Sequence, residues 1–199
     1  MDSKEIFDEK ELSFLSDVEI LKYRETAYEK VKQILREVKN RLEPKVNSLH
    51  SLLPSGSLKQ GGKISKGENL QGLPYLILDY PRFKQGEELL LFRTMFWWGN
   101  YFSVTLHLQG NLASHAFGNL AQVSFDPSSR FSVDEDWNHD VNSYLHDAES
   151  VEQINHQPRV LKIARTIPLT NSNDLPDFSL ICYETWIELI RKSKIGIYR

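Results

Sequence analysis

Residues 88–109, with the sequence ELLLFRTMFWWGNYFSVTLHLQ, are rich in aromatic and β-branched residues, and their only interruption is Gly99-Asn100. Glycine adopts positive φ freely and asparagine tolerates it, so a Gly-Asn pair between two such runs is typical of a β-hairpin. We therefore expect two long antiparallel strands here, with the rest of the chain organised around them.

The pairing of these two strands decides which side chains share a face of the sheet. A two-residue loop places Trp98 opposite Tyr101 and Arg93 opposite Leu106, and a four-residue loop moves each partner by two positions without changing its face. Arg93 is then the one charged residue on an apolar face that we expect to pack in the core. The other face combines aromatic and hydroxyl side chains with His107, and is predicted to be a second buried layer or a lined cavity.

Size and composition favour a single domain spanning residues 1–199. A hydrophobic fraction of 40%, with 4 Trp, 8 Tyr and 10 Phe, can fill a sizeable core at this length. The formal net charge of −3 provides no global field that would attract a polyanion. The composition therefore disfavours nucleic acid as a partner.

Several classes of protein are excluded by local features of the sequence. The one cysteine, Cys182, excludes an internal disulfide and a zinc site built from cysteines. The first residues are acidic and lack the apolar run of a secretory signal, and no stretch approaches the ~20 apolar residues of a membrane span. We expect a cytoplasmic protein that does not contact a membrane.

The N-terminal part of the chain predicts an arm followed by a long helix. Residues 1–15 are expected to form the arm and to dock through their apolar side chains. Ser16 and Glu19 match a capping box, and the helix is predicted to run to Glu43, with Pro44 as its stop. Its apolar stripe is formed by Val18, Leu21, Tyr28, Val31, Leu35, Val38 and Leu42. Packing on the chain's own sheet is favoured, although the partly heptad spacing leaves a homodimer seam as an alternative.

Residues 55–72 contain five of the ten glycines and are predicted to form a long loop. Its lysines, Lys59, Lys63 and Lys66, and its backbone N–H groups could cradle a phosphate. The segment lacks the P-loop pattern, however, and precedes a strand, so a solvated loop is favoured. No dinucleotide-binding glycine motif is present either, and we expect no cofactor.

The remaining elements complete an α+β fold. Residues 73–80 are predicted as a strand closed by Pro81, and residues 112–125 as a second hairpin around a further Gly-Asn pair. Helical spacing predicts helices over 132–154 and 175–194, separated by a strand at 159–169. We expect an antiparallel sheet of four to six strands, packed by the N-terminal and C-terminal helices.

Arg93 is the first candidate for chemistry because it falls on an apolar strand face. A buried guanidinium requires a carboxylate, a ring of carbonyl oxygens or a bound anion. Asp79, on a neighbouring predicted strand, is the expected partner, and Arg82 is close enough in sequence to join it. An ion pair is favoured over an anion-binding role.

Histidines are the second group of candidates. His107 lies among hydroxyls and aromatics and could act as a base or orient a ligand, but a hydrogen-bonded structural role is favoured. His139 and His146 would share a face of the predicted helix, yet the H-E-x-x-H pattern is missing. We therefore expect no metal site.

The sequence alone does not establish what the protein does. Trp97 and Trp98 point to opposite faces, and an exposed ring of this kind, with Tyr101 nearby, could stack on a ligand. The leading hypothesis is a binding module that holds a small ligand or a protein partner in a concavity between sheet and helices. The alternatives are a hydrolase- or transferase-like enzyme using His107 or His139 and His146, and a protein that oligomerises through its N-terminal helix.

Overall fold

The structure is a computed structural model that describes residues 6–48, 62–136, 138–154 and 158–192. Its helices are α1 (Glu9–Ser16), α2 (Val18–Ser48), α3 (Asn111–Phe117), α4 (Ala148–Ile154) and α5 (Leu175–Lys192). Its strands are β1 (Ile64–Leu70), β2 (Leu73–Gln85), β3 (Glu88–Trp97), β4 (Tyr101–Gln109), β5 (Arg130–Ser132) and β6 (Val160–Pro168). These strands form one antiparallel sheet in the order β1-β2-β3-β4-β6-β5. The predicted α+β class, with the hairpin at the centre of the sheet, is confirmed.

Helices α2 and α5 pack on one face of the sheet and build the main core there. On α5, the rings of Tyr183 and Trp186 lie 5.3 and 6.0 Å from that of Phe92 on β3. On α2, Tyr28 lies 5.4 Å from Trp98, and Leu35 is completely buried. The predicted stripe of α2 therefore packs internally over its C-terminal two thirds.

The pairing of β3 with β4 differs from the predicted pairing by one residue. Strand β3 ends at Trp97 and β4 begins at Tyr101, so the loop has three residues, with Gly99 at a φ of 73°. Arg93 consequently lies opposite Thr105 instead of Leu106. Because side chains alternate between faces, a shift of one residue moves every side chain of β4 to the other face.

This shift brings Arg93 and His107 onto the same face of the sheet, the one that points away from α2 and α5. The prediction that they lie on opposite faces is wrong, and the argument for a cavity that rested on it no longer holds. Trp97 and Trp98 do point to opposite faces, as predicted. The face toward the helices is almost entirely apolar and carries Leu90, Phe92, Thr94, Phe96, Phe102, Val104, Leu106 and Leu108.

Both predicted ends of the long helix are wrong. Asp17, rather than Ser16, caps α2, since its carboxylate accepts hydrogen bonds from the N–H groups of Glu19 and Ile20 at 2.9 and 3.2 Å. The helix also continues through Pro44 to Ser48. A proline inside a helix costs about 3 kcal/mol, and burial of the last turn, where Val46 is fully inaccessible, offsets that cost.

Residues 1–5 of the predicted N-terminal arm lie outside the described residues; the rest of the arm is helical from residue 9 onward, and its side chains are exposed and not docked as predicted. Asp8 and Glu11 form a capping box at the start of α1. The apolar side chains of this region and of the first turns of α2 are exposed by 38–87%; they are Ile6, Phe7, Leu12, Phe14, Leu15, Val18, Ile20, Leu21 and Tyr23. Helix α2 thus extends beyond the sheet at its N-terminal end.

The predicted loop 55–72 is only partly tested, because residues 55–61 lie outside the described residues. For the second half of the segment the prediction is wrong, because Ile64–Leu70 forms β1, an edge strand of the sheet. Gly67 allows this pairing, since a Cβ atom there would collide with the ring of Tyr75. The adjoining strand β2 also exceeds its predicted end at Tyr80 and continues, after an irregularity between Asp79 and Arg82, to Gln85.

The region after the hairpin differs most from prediction. The expected hairpin at 112–125 is instead α3 and a short 3-10 turn. Glu88 is the cause at the first turn, because its carboxylate accepts hydrogen bonds from the N–H groups of Asn111 and Leu112. Within the described part of the predicted helix 132–154, α4 and a 3-10 turn at Val141–Ser143 form, and residues 133–136 and 138–140 are irregular. Strand β6 and helix α5 confirm the predicted final strand and helix.

Leu35→Ala tests the inference that internal burial of α2 holds the fold together. We expect a loss of about 2–5 kcal/mol in the free energy of unfolding, since the side chain is fully buried and its removal leaves a cavity. Ile181→Ala on α5, where the side chain is 56% exposed, should change it by less than about 0.5 kcal/mol. Urea unfolding followed by circular dichroism measures both, and equal effects would contradict the packing.

Candidate functional site

The corrected register gathers polar residues from four adjacent strands onto one face of the sheet. Asp79 on β2, Arg93 on β3 and Thr105 on β4 are direct neighbours across the strands. One step along, His107 on β4 lies opposite Lys162 on β6. We refer to these five residues as the polar row.

Arg93 has the ion-pair partner that the sequence predicts. Its Nε and Nη2 atoms donate to the two carboxylate oxygens of Asp79 at 2.7 and 2.9 Å, and its Nη1 donates to Nε2 of His139 at 2.6 Å. A guanidinium group has no acceptor, so Nε2 of His139 must accept and the ring is neutral with its proton on Nδ1. Arg82 is exposed, beyond the irregularity in β2.

Both buried histidines are held in the neutral form. Burial, with the charge of Lys162, lowers the pKa of His107 to about 3. Burial, with the charge of Arg93, lowers the pKa of His139 to about 2. A general base works best with a pKa near the working pH, so these rings are poorly suited to proton transfer at neutral pH.

His139 and His146 do not share a helix face, because both lie in the irregular segment. His139 is buried against Arg93, with its ring 6.1 Å from that of His107, whereas His146 is exposed. Across residues 6–48, 62–136, 138–154 and 158–192, no three His, Cys, Asp or Glu side chains are grouped so that they could hold a metal ion.

Thr105 and Lys162 are the two members of the polar row that were not among the predicted site residues, and Lys162 is the charged one. Its side chain is completely buried, and Nζ donates to the backbone oxygen and a carboxylate oxygen of Asp136 at 2.5 and 3.1 Å. This contact lowers the pKa of Asp136. The sequence contained a signal for a buried charge here, because Lys162 lies on the same strand face as the apolar residues Val160 and Ala164.

Hydrogen bonds from the polar face hold Asp136 and residues 138–144 over it. The hydroxyl of Tyr101 donates to Asp140 and accepts from the N–H group of Val141, both at 3.1 Å. Together with the contacts to Asp136 and His139, these bonds explain why the segment is irregular: a regular helix could not present the same groups to the sheet. Trp98 is separate from this region and packs half-buried against α2.

A concavity is present on the opposite side, between α2 and the 3-10 turn at residues 169–174. This α2 groove has a volume of about 460 Å³. Phe96 and Phe102 pair directly across β3 and β4, and their rings lie 5.4 Å apart at the groove. The other residues that line it are Ala27, Lys30, Val31, Gln33, Ile34, Glu37, Leu169, Ser172 and Asn173.

The two charged side chains at the α2 groove, Lys30 and Glu37, form no ion pair in the part of the chain that the structure describes. Lys30 and Glu37 are exposed, and in the described part of the chain neither has an oppositely charged group within 4 Å. They lie seven residues apart on α2, which corresponds to about 10 Å along a helix. The groove therefore combines an aromatic wall with two separated, opposite charges.

Comparisons with known proteins add no functional assignment. No protein-family model matches the chain, and neither a curated protein nor a solved structure matches it. Among the helices that the structure describes, none combines the length and the apolar composition needed to cross a membrane.

The neutral histidines predict a specific pH dependence of stability. Below pH ~6.5 the unfolded chain binds protons on both imidazoles while the folded chain does not, so stability present above that pH is lost as the pH falls toward 3. Each histidine contributes a slope of up to about 1.4 kcal/mol per pH unit below its unfolded pKa.

His107→Gln and His139→Gln should each flatten the fall in unfolding free energy between pH 6 and pH 4 by up to that amount. Urea unfolding at each pH measures the slope. His146→Gln, at an exposed position, is the matched control. If both buried variants kept the wild-type slope, neutral burial of the two rings would be contradicted.

Proposed function

We propose that the protein is a binding module that holds a small amphipathic molecule in the α2 groove. The single observation that carries this proposal is the groove itself, which opens between the sheet and a helix and is walled by the Phe96–Phe102 pair. Its volume of about 460 Å³ falls within the range typical of small-molecule sites.

The chemistry of the lining defines the class of ligand. Ring faces of Phe96 and Phe102 favour an aromatic or aliphatic body, which loses apolar contact with water on binding. Lys30 suits an anionic end group and Glu37 a cationic or hydrogen-bond-donating one, while Ser172 and Asn173 offer hydrogen bonds from the opposite wall. A flat, uncharged sugar surface or a polyanion has no matching complement here.

The polar row is a weaker candidate for the binding site. Arg93 is already bonded to a carboxylate and an imidazole, and Lys162 to Asp136, so these donors are engaged within the protein. The enzyme hypothesis, based on His107 or on His139 and His146, gains no support from the low pKa values of His107 and His139, and His139 and His146 do not share a helix face.

The dye 1-anilinonaphthalene-8-sulfonate tests the α2 groove, because it combines aromatic rings with one anionic group. Ala27→Phe places a ring inside the groove, and we expect it to weaken dye binding at least fivefold, as measured by fluorescence titration. Thr26→Phe adds the same ring at an exposed neighbouring position on α2 that does not line the groove.

Thr26→Phe should bind the dye as the wild type does. Equal binding by Ala27→Phe and the wild type would place the dye elsewhere on the protein and contradict the proposal. Both variants must retain the wild-type urea midpoint, which separates blocking of the groove from loss of the fold.

A second candidate function is self-association through the N-terminal helices. The observation that favours it is the set of nine exposed apolar side chains on residues 6–16 and the start of α2, exposed by 38–87%. Clusters of exposed apolar side chains mark interaction sites in many proteins. A second copy of the chain presents the same surface, so a two-fold arrangement would cover both.

Leu21→Asp tests this self-association. A charge at the centre of an apolar interface should raise the dimer dissociation constant by at least 100-fold, because the carboxylate would be buried without a partner. Ile181→Asp is the matched control, since both wild-type side chains are 56% exposed. Sedimentation velocity over a concentration series measures the constant; a monomeric wild type would contradict self-association.

A further inference from the structure

A second cleft lies on another side of α2, between this helix and the edge strand β1. It has a volume of about 390 Å³ and is lined by side chains from both elements. Lys32 and Arg36 come from α2, Lys66 from β1, and Gly62, Ile64, Ser65 and Leu76 complete the lining. This α2–β1 cleft shares no lining residue with the α2 groove.

Two further lysines bring their charge to the α2–β1 cleft. The side chain of Lys39 lies against Gly62, so that a Cβ atom on this glycine would come within 3.2 Å of Nζ. Lys63 follows Gly62 in the chain and is exposed. Four cationic side chains, Lys32, Arg36, Lys39 and Lys66, therefore lie at the cleft, and Lys63 is close to it along the chain, in a protein whose formal net charge is −3.

Carboxylates neutralise only part of this charge. Glu29 bonds Lys32 at 2.6 Å, and Glu68 bonds Lys66 at 2.7 Å. Arg36, Lys39 and Lys63 have no carboxylate within 4 Å in the described part of the chain. Glu43 lies one turn beyond Lys39 on α2 and acts on the neighbouring Tyr80, which leaves a local excess of positive charge.

We propose that the α2–β1 cleft binds a small phosphorylated molecule. The Arg36 guanidinium can donate two parallel hydrogen bonds to a phosphate group, and Lys39, three residues further along α2, supplies a point charge beside it. Ile64, which is half-buried, provides an apolar surface for the part of the ligand that carries the phosphate. The bounded cleft and the overall negative charge favour a small ligand over a long polyanion, which needs a continuous basic track.

The experiment measures inorganic pyrophosphate binding to the full chain by isothermal titration calorimetry at about 0.15 M salt, where long-range attraction is screened. We expect the wild type to bind in the millimolar range or tighter, and Arg36→Gln to weaken binding at least tenfold. Arg36→Lys should recover only part of the loss, because it restores the charge without the planar pair of donors. Arg82→Gln removes an exposed arginine on the opposite face of the sheet and should stay within twofold of the wild type.

Four outcomes would overturn the proposal. The first is that the wild type does not bind pyrophosphate. The second is an equal loss of affinity in Arg36→Gln and Arg82→Gln, which would show that only the overall charge matters. The third is sulfate binding as tight as pyrophosphate binding, which would show a general anion site. The fourth is a single-stranded oligonucleotide that binds more than tenfold tighter with the same dependence on Arg36, which would show a nucleic-acid surface. The urea midpoint of each variant confirms that its fold is intact.

Discussion

The pairing of β3 with β4 is the constraint on which the rest of the structure depends. Phe96 lies opposite Phe102, and this match sends the apolar half of both strands toward α2 and α5. Asp79, Arg93, His107 and Lys162 are then left on the far face. Because strand side chains alternate with a period of two, no intermediate arrangement exists, and the α2 groove and the polar row follow from the same register.

The polar row in turn determines the conformation of the chain that covers it. Arg93 and Lys162 are buried cations, and the structure satisfies them with Asp79, His139 and Asp136. Buried ion pairs add little net stability compared with apolar residues of similar size, but a cation left without its partner would be costly. Asp136 and residues 138–144 therefore follow a path that delivers their polar groups to the sheet, and they do not form the predicted α-helix.

The general architecture could be predicted from sequence, whereas its register could not. The periodicity of Tyr28, Leu35 and Leu42 defines α2, and Gly99 marks the turn, since both signals are local. The length of the loop between β3 and β4 could not be predicted, because aromatic residues flank Gly99-Asn100 on both sides. An overlooked signal lies in β4, where one alternate set is wholly apolar and the other contains His107. Placing the set that contains His107 on the same face as Arg93 would have required a hairpin loop with an odd number of residues. The capping of α3 by Glu88 was less accessible, because it joins residues that are distant in sequence.

The edge position of β1 also bears on the protein's behaviour in concentrated solution. One side of this strand presents backbone N–H and C=O groups that could pair with a strand of another molecule and seed fibrils. Lys63, Lys66 and Glu68 place charges along this edge, and like-charged edges of two molecules repel each other. A phosphorylated ligand that neutralised these lysines would remove part of the repulsion. Binding of such a ligand in the α2–β1 cleft would therefore lower the resistance of the protein to aggregation.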